Sequence, residues 1–161
     1  MGSNGVWEIT TSALDDGVHT IGVEIEDLAG NINSALTNTL DVTVDTTLPQ
    51  RPTLDLLAAD DSGMSDLDNV TNRADAVPFT ITSEAGATVV LKDGNTVQTL
   101  VSPAGTSFTS SGTDVVTLNL TPGTHLLSVE VTDDAGNVSQ QSEELVVVID
   151  RLAPDLSLIH I

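Results

Sequence analysis

Oxygen-bearing side chains are bunched in this chain. Asp60, Asp61, Asp66, Asp68 and Asn69 share the run DDSGMSDLDN. Asp133, Asp134 and Asn137 share DDAGN, and Asp27 and Asn31 echo that pattern earlier. Asp45 and Asp150 each stand a few residues before a proline. Calcium takes about six to eight oxygens from carboxylates, amides and carbonyls. These ten residues, Asp45, Asp60, Asp61, Asp66, Asp68, Asn69, Asp133, Asp134, Asn137 and Asp150, are therefore the candidate Ca2+ ligands. The first run is not an EF-hand, because Gly63 comes too early and no Glu closes the loop. The competing use of the same residues is to close solvated turns, which Asp and Asn favour.

The rest of the composition narrows the chemistry. The 161 residues carry 24 acids against four bases, Arg51, Arg73, Lys92 and Arg151, for a net charge of −20. Phosphate recognition needs clustered Lys and Arg, so a nucleic-acid partner is excluded, as is attraction to an anionic membrane. With no Cys there is no disulfide, thiolate nucleophile or thiolate-bound zinc. No apolar run approaches the ~18 residues of a membrane span, and nothing near Met1 reads as a signal peptide. Aromatic residues are 2%, namely Trp7, Phe79 and Phe108, so any core is aliphatic. An enzyme is not expected. Two of the three His occupy repeated positions, His160 lies in the final residues, and no GxSxG elbow occurs. No small-molecule substrate is expected either.

The chain repeats itself. LDDGVHTIGVEIEDLAGN from Leu14 aligns with LTPGTHLLSVEVTDDAGN from Leu120. Gly17, His19, Val23, Glu24, Asp27, Gly30 and Asn31 fall on Gly123, His125, Val129, Glu130, Asp133, Gly136 and Asn137, each 106 residues on. VDTTLP from Val44 falls on IDRLAP from Ile149 at a spacing of 105. A tandem array with a repeat of about 105 residues explains this. Residues 1–48 read as the C-terminal half of one repeat and 49–153 as a complete one. Residues 154–161 read either as the start of the next repeat or, in LSLIHI, as the translated end of a sequencing adapter.

The complete repeat alternates with a period of two. Leu127, Val129 and Val131 take one face and Ser128, Glu130 and Thr132 the other, as in an antiparallel strand with one buried side. The pattern predicts strands at 53–57, 77–83, 87–92, 96–101, 114–120, 125–132 and 142–149, with a hairpin turn at Lys92-Asp93-Gly94-Asn95. Seven short strands in about a hundred residues indicate an all-β fold, an immunoglobulin-like antiparallel β-sandwich. His19 and His125, each two residues after a Gly, read as corner residues that bond back to backbone. The front half has material for strands at 6–11, 19–27 and 36–45 only, and cannot cover its own apolar face.

The succession LDLLAADDSGMSDLDNVTN, SEAGATVVLKDG, LTPGTHLLSVEVTDDAGN and VIDRLAP resembles the bacterial Ig-like repeats of giant type I-secreted, biofilm-associated surface adhesins. The resemblance spans 50–154 as a whole repeat and 4–49 as a half. It implies an extracellular location at the bacterial cell surface. It also implies a calcium-stiffened extender that holds a distal binding region away from the cell, with neighbouring repeats of the same chain as partners. Arg151 and Leu152 depart from the usual linker, in which Thr-Thr follows the Asp. Sandwich topology places 60–69 near Asp150, and Asp133, Asp134 and Asn137 toward the Asp45 that ends the preceding repeat, with Glu84 able to join them. The other reading is an Ig-like recognition module that binds a glycan or protein directly.

Overall fold

The computed structural model describes residues 8–33 and 39–154. The chain divides after Thr47 into two units. Every described element is a strand or a turn.

In the first unit, β1 (Gly17–Ile21), β2 (Ile25–Glu26), β3 (Ile32–Asn33) and β4 (Leu40–Val44) form two ribbons, β1 with β4 and β2 with β3. The second unit holds the other ten strands: β5 (Thr53–Leu56), β6 (Val70–Thr71), β7 (Val77–Thr82), β8 (Thr88–Asp93), β9 (Thr96–Val97), β10 (Leu100–Ser102), β11 (Phe108–Thr109), β12 (Thr113–Leu118), β13 (Gly123–Thr132) and β14 (Leu145–Ile149). One sheet runs β10-β12-β7-β5 and the other β11-β8-β13-β14-β6, with β9 on β8. All pairings are antiparallel except β6 with β14.

Alternation fixes which side chains meet between the sheets. Phe79 and Ile81 from β7 and Val116 and Leu118 from β12 face Leu91, Leu127, Val129, Val131, Val147 and Ile149 from the other sheet, all essentially inaccessible to water. Among the described residues Phe79 is the one fully buried ring, so the core of the second unit is otherwise aliphatic.

The strand registers define two poles. Thr53 pairs Thr82, Thr82 pairs Thr113 and Thr88 pairs Thr132, so the chain enters beside the loops at 83–87, 110–112 and 133–137. Ile149 pairs both Gly123 and Thr71, and Val77 pairs Leu118, so it leaves beside 57–69 and 119–122.

Several predicted strands change on folding. The 96–101 strand divides because the chain switches sheets: Thr96 and Val97 pair β8, whereas Leu100 pairs Leu118 of β12. The 142–149 strand begins at Leu145, since Ser139 and Ser142 instead exchange hydrogen bonds with the β13 backbone at Val131 and Val129. β6 and β11, of two residues each, are too short for any periodicity to register.

The first unit copies part of the second. Gly17 pairs Val44 and His19 pairs Val42, as Gly123 pairs Ile149 and His125 pairs Val147. The expected 19–27 strand, however, breaks at residues 22–24. The counterparts of these residues, Ser128, Val129 and Glu130, are paired by β8 alone, beyond the end of β14. No described strand of the first unit plays the part of β8, so residues 22–24 have no ladder. Of the expected 6–11 strand, residues 8–11 are irregular and 6–7 lie outside the described residues; so do 36–38 of the third strand. No described residue of 8–47 is buried.

A core this dependent on one ring should be sensitive to it. Phe79→Ala is expected to destabilise the second unit by about 3–5 kcal/mol in urea unfolding, and to leave amide exchange in residues 17–44 unchanged.

Candidate functional site

The outgoing pole is held by arginines. After β5 the chain makes a long excursion through 57–69 and returns as β6 beside β14. Asp61, buried, accepts from the backbone N–H of Asn69 and Val70, both at 3.1 Å. That fixes Asn69 at φ 55°, a left-handed position that Asn tolerates. Asp68 accepts from the N–H of Met64 at 3.1 Å and Ser65 at 3.2 Å. Its carboxylate lies where a side chain on Gly63 would begin, so a larger residue there would have to displace Asp68. The Asp60 carboxylate pairs with the Arg73 guanidinium, whose Nε also donates to the Asp75 carbonyl at 3.0 Å. Arg151 closes the chain of contacts, its Nε donating to the Arg73 carbonyl at 3.0 Å and its Nη2 to the Leu120 carbonyl at 2.8 Å. The Asp150 N–H donates to Thr71 O at 2.9 Å. The departing linker is thus tied to two separate loops.

The incoming pole is tied by Arg51, which donates from Nε to the Gln141 carbonyl at 2.6 Å and pairs with Glu143. Beside it, Asp133 closes an Asx turn. Its Oδ1 accepts from Asn137 N at 2.8 Å and its Oδ2 from Asn137 Nδ2 at 2.9 Å. The Asn137 side chain leads in holding the Asp133 carboxyl below its usual pKa. Asp27 and Asn31 make the same turn in the first unit, and Gly30 and Gly136 take matching φ of 83° and 92° there. At this pole Asp114 accepts from Ser110 Oγ at 2.8 Å and from Ser111 Oγ at 2.6 Å.

The two histidines sit at the expected corners. His19 Nε2 lies 2.7 Å from Asp15 O and His125 Nε2 lies 2.8 Å from Thr121 O, each four residues back. His125 has a further partner: its Nδ1 lies 2.7 Å from Asp93 Oδ2. A carbonyl and a carboxylate both accept, so both ring nitrogens donate and the ring is held as the cation. Burial pulls the His125 pKa down, but the Asp93 hydrogen bond, the Thr121 carbonyl and the Asp93 charge together raise it above the ordinary value.

The ten candidate ligands fall as follows. Asp60, Asp61, Asp68 and Asn69 share one loop but take up Arg73 and backbone N–H groups. Asp66 is exposed on that loop, and Asp150, exposed at the same pole, accepts from Leu152 N at 2.9 Å. Asp133 and Asn137 bond each other, Asp134 is exposed beside them, and Asp45 accepts from Thr47 N at 2.9 Å in the first unit. Among the described residues no three His, Asp or Glu side chains converge to hold a metal ion. In the second unit Asp60 meets a guanidinium, Asp61, Asp68, Asp133 and Asp150 accept from N–H groups, and Asp66 and Asp134 face solvent, so these side chains are not gathered into a ready-made calcium site. Sequence reasoning counts Arg73 and Arg151 among the cations and puts Asp93 in a hairpin turn, but it assigns no partner to them or to Asp114. The one available signal was scarcity, since the few cations in so acidic a chain are drawn to carboxylates and carbonyls.

The clamp on His125 has a pH consequence. A folded pKa above the unfolded value of about 6.5 gives stability that is complete below pH 6.5 and lost as pH rises through the folded pKa. Denaturation midpoints should therefore fall from pH 6 toward alkaline pH, and His125→Asn should flatten that fall. An unchanged slope in the variant would show that another group sets it.

The model of the bacterial Ig-like domain family matches residues 1–46 and 47–151. Comparison with curated proteins gives no significant match. Among solved structures, the chain is similar to the fibronectin(III)-like modules of Clostridium thermocellum CbhA at 16% identity and a TM-score of 0.51, over 92% of this chain and 70% of that one. Identity that low speaks for the fold alone, a β-sandwich. With family matches running through nearly its whole length, the chain belongs to the bacterial Ig-like domain family.

Proposed function

We propose that the chain is an extender segment of a bacterial surface adhesin, exposed outside the cell, whose task is to project a distal binding region in cell adhesion and biofilm formation. The observation that carries this is how the second unit handles its ends. The chain enters at one pole and leaves at the other, and it is fastened at both, by Arg51 to the 141–143 segment and by Arg151 to Arg73 and Leu120. Force or orientation arriving through one linker passes along the sandwich to the other. A module fastened this way serves as a strut.

The stiffness in this reading comes from guanidinium groups and Asx turns. The calcium that the resemblance implies has no step in this reading, because the candidate ligands do not converge among the described residues and most already accept hydrogen bonds. Direct recognition has less support. Phe79 is buried and Phe108 half-buried, so among the described residues no aromatic ring is fully exposed for a sugar to stack on. The cleft at Gln50, Arg51, Thr53, Thr82, Ser83 and Glu84 takes in Arg51, the residue that fastens the incoming linker. No catalytic step is assigned.

Arg151→Ala removes two hydrogen bonds from a charged donor, and is expected to cost about 1–2 kcal/mol and to speed amide exchange at Asp150 and Leu152. Melting curves of the whole chain in millimolar calcium and in chelator are expected to superimpose. A rise of many degrees in calcium, cut by Asp66→Ala and Asp68→Ala, would return the cation to the mechanism. Saturable binding of the chain to a glycan array would favour the recognition module instead.

A further inference from the structure

The two units fasten their outgoing linkers by different side chains at equivalent positions. The frame that carries each linker is the same in both. Gly17 pairs Val44 as Gly123 pairs Ile149, and the two glycines share a backbone conformation, with φ of 138° and 134°. His19 bonds back to Asp15 O as His125 does to Thr121 O. After each strand the linker Asp caps the N–H two residues on, Asp45 that of Thr47 and Asp150 that of Leu152, both at 2.9 Å. The frame thus matches residue by residue into the linker, and the side chains that close it differ.

In the first unit the closing group is Asp16, the residue before Gly17. Its Oδ1 accepts from Thr46 N at 3.1 Å and from Thr46 Oγ1 at 2.9 Å, and its Oδ2 from Thr47 Oγ1 at 3.3 Å. The equivalents of Asp16, Thr46 and Thr47 are Pro122, Arg151 and Leu152. Proline offers no side-chain acceptor and leucine no donor. The arginine serves instead, reaching the Leu120 carbonyl at 2.8 Å and the Arg73 carbonyl at 3.0 Å. In both units the loop before the corner glycine accepts and the linker donates. The three residues differ as a set. A second touching pair behaves alike. The Thr20 hydroxyl donates to Asp41 Oδ1 at 2.6 Å across the ribbon, and the equivalents Leu126 and Val146, cross-strand partners as well, are both apolar.

We propose that Asp16 is the residue that fastens the linker leaving the first unit. The position before the corner glycine and the two positions after the linker aspartate then form one exchangeable lock, closed either by Asp with Thr-Thr or by Pro with Arg. A carboxylate at the first position needs short donors close by, and two threonine hydroxyls and a backbone N–H supply them. A proline there leaves backbone oxygens as acceptors. A guanidinium, with several donors in a fixed fork on a long stem, reaches two of these at once. Half of one lock does not close with half of the other, because Thr-Thr opposite proline meets no carboxylate. The proposal rests on bonds within each unit and is independent of the extender reading.

The test moves the first unit's lock into the second, in the full chain. The Asp150 N–H donates to Thr71 O where the linker departs, so its exchange with solvent reports on the lock. Arg151→Thr with Leu152→Thr is expected to speed that exchange about tenfold, through loss of the hydrogen bonds from a charged donor. Adding Pro122→Asp should recover most of the lost protection. Adding Pro122→Ala instead, which removes the proline without supplying a carboxylate, should recover none. A reciprocal measurement leaves the second unit's sequence untouched: Asp16→Ala should speed exchange at the Thr46 amide, and Asp16→Asn, which keeps one accepting oxygen, should speed it less. Should replacing the proline unfold the second unit, the Thr46 amide decides alone. Equal recovery by Pro122→Ala and Pro122→Asp would overturn the proposal. So would no recovery by Pro122→Asp while the β13 amides stay protected, or a Thr46 amide indifferent to Asp16→Ala.

Discussion

A sheet with one aliphatic face must have that face covered, and most of this molecule follows from whether it is. In the second unit two sheets cover each other, and a core of Val, Leu and Ile around Phe79 is sealed from water. In the first unit the same residue types, at the same positions of the repeat, lie in ribbons with no second layer among the described residues, and not one is buried. The contrast isolates what the sandwich contributes. Val129 and Val23 hold the same place in the repeat, each followed by Glu, and differ in whether described strands such as β7, β8 and β12 stand beside and over them.

The loops obey a second constraint, the shortage of positive charge. Only four side chains are permanently cationic. Lys92 sits on a sheet face with Glu130. The other three, Arg51, Arg73 and Arg151, stand at the poles, where linker and loop meet. There each binds a backbone carbonyl as well as, for Arg51 and Arg73, a carboxylate. Arginine suits this, since its planar fork spans two acceptors at once. The loops that read as calcium sites are closed here from within. Asp61 and Asp68 cap backbone N–H groups, Asp133 folds back onto Asn137, and Gly63 leaves room for the Asp68 carboxylate.

Much of this was legible in the sequence. Alternation at Leu127, Val129 and Val131 announced the buried face of β13, and the repeat spacing announced that β1 and β4 would pair as β13 and β14 do. The histidine corners followed from a Gly two residues earlier. What escaped was whatever depends on a partner distant in sequence. The split between Val97 and Leu100 comes from a change of sheet, and at 22–24 no described strand of the first unit takes the place of β8. The acidic runs showed oxygens but not their partners. Whether Asp60 meets a cation, a backbone N–H or Arg73 is decided by a contact thirteen residues away, and composition does not encode that choice.

A strut transmits force only if its ends belong to its rigid body. Backbone amide relaxation by NMR measures that directly. Order parameters near 0.85, the level of rigid backbone, are predicted for residues 51 and 149–152, equal to those along β13. Values below about 0.6 at these positions, typical of flexible chain, would contradict it: the arginine ties would then not hold, and the module would hang between its linkers as a bead on a string.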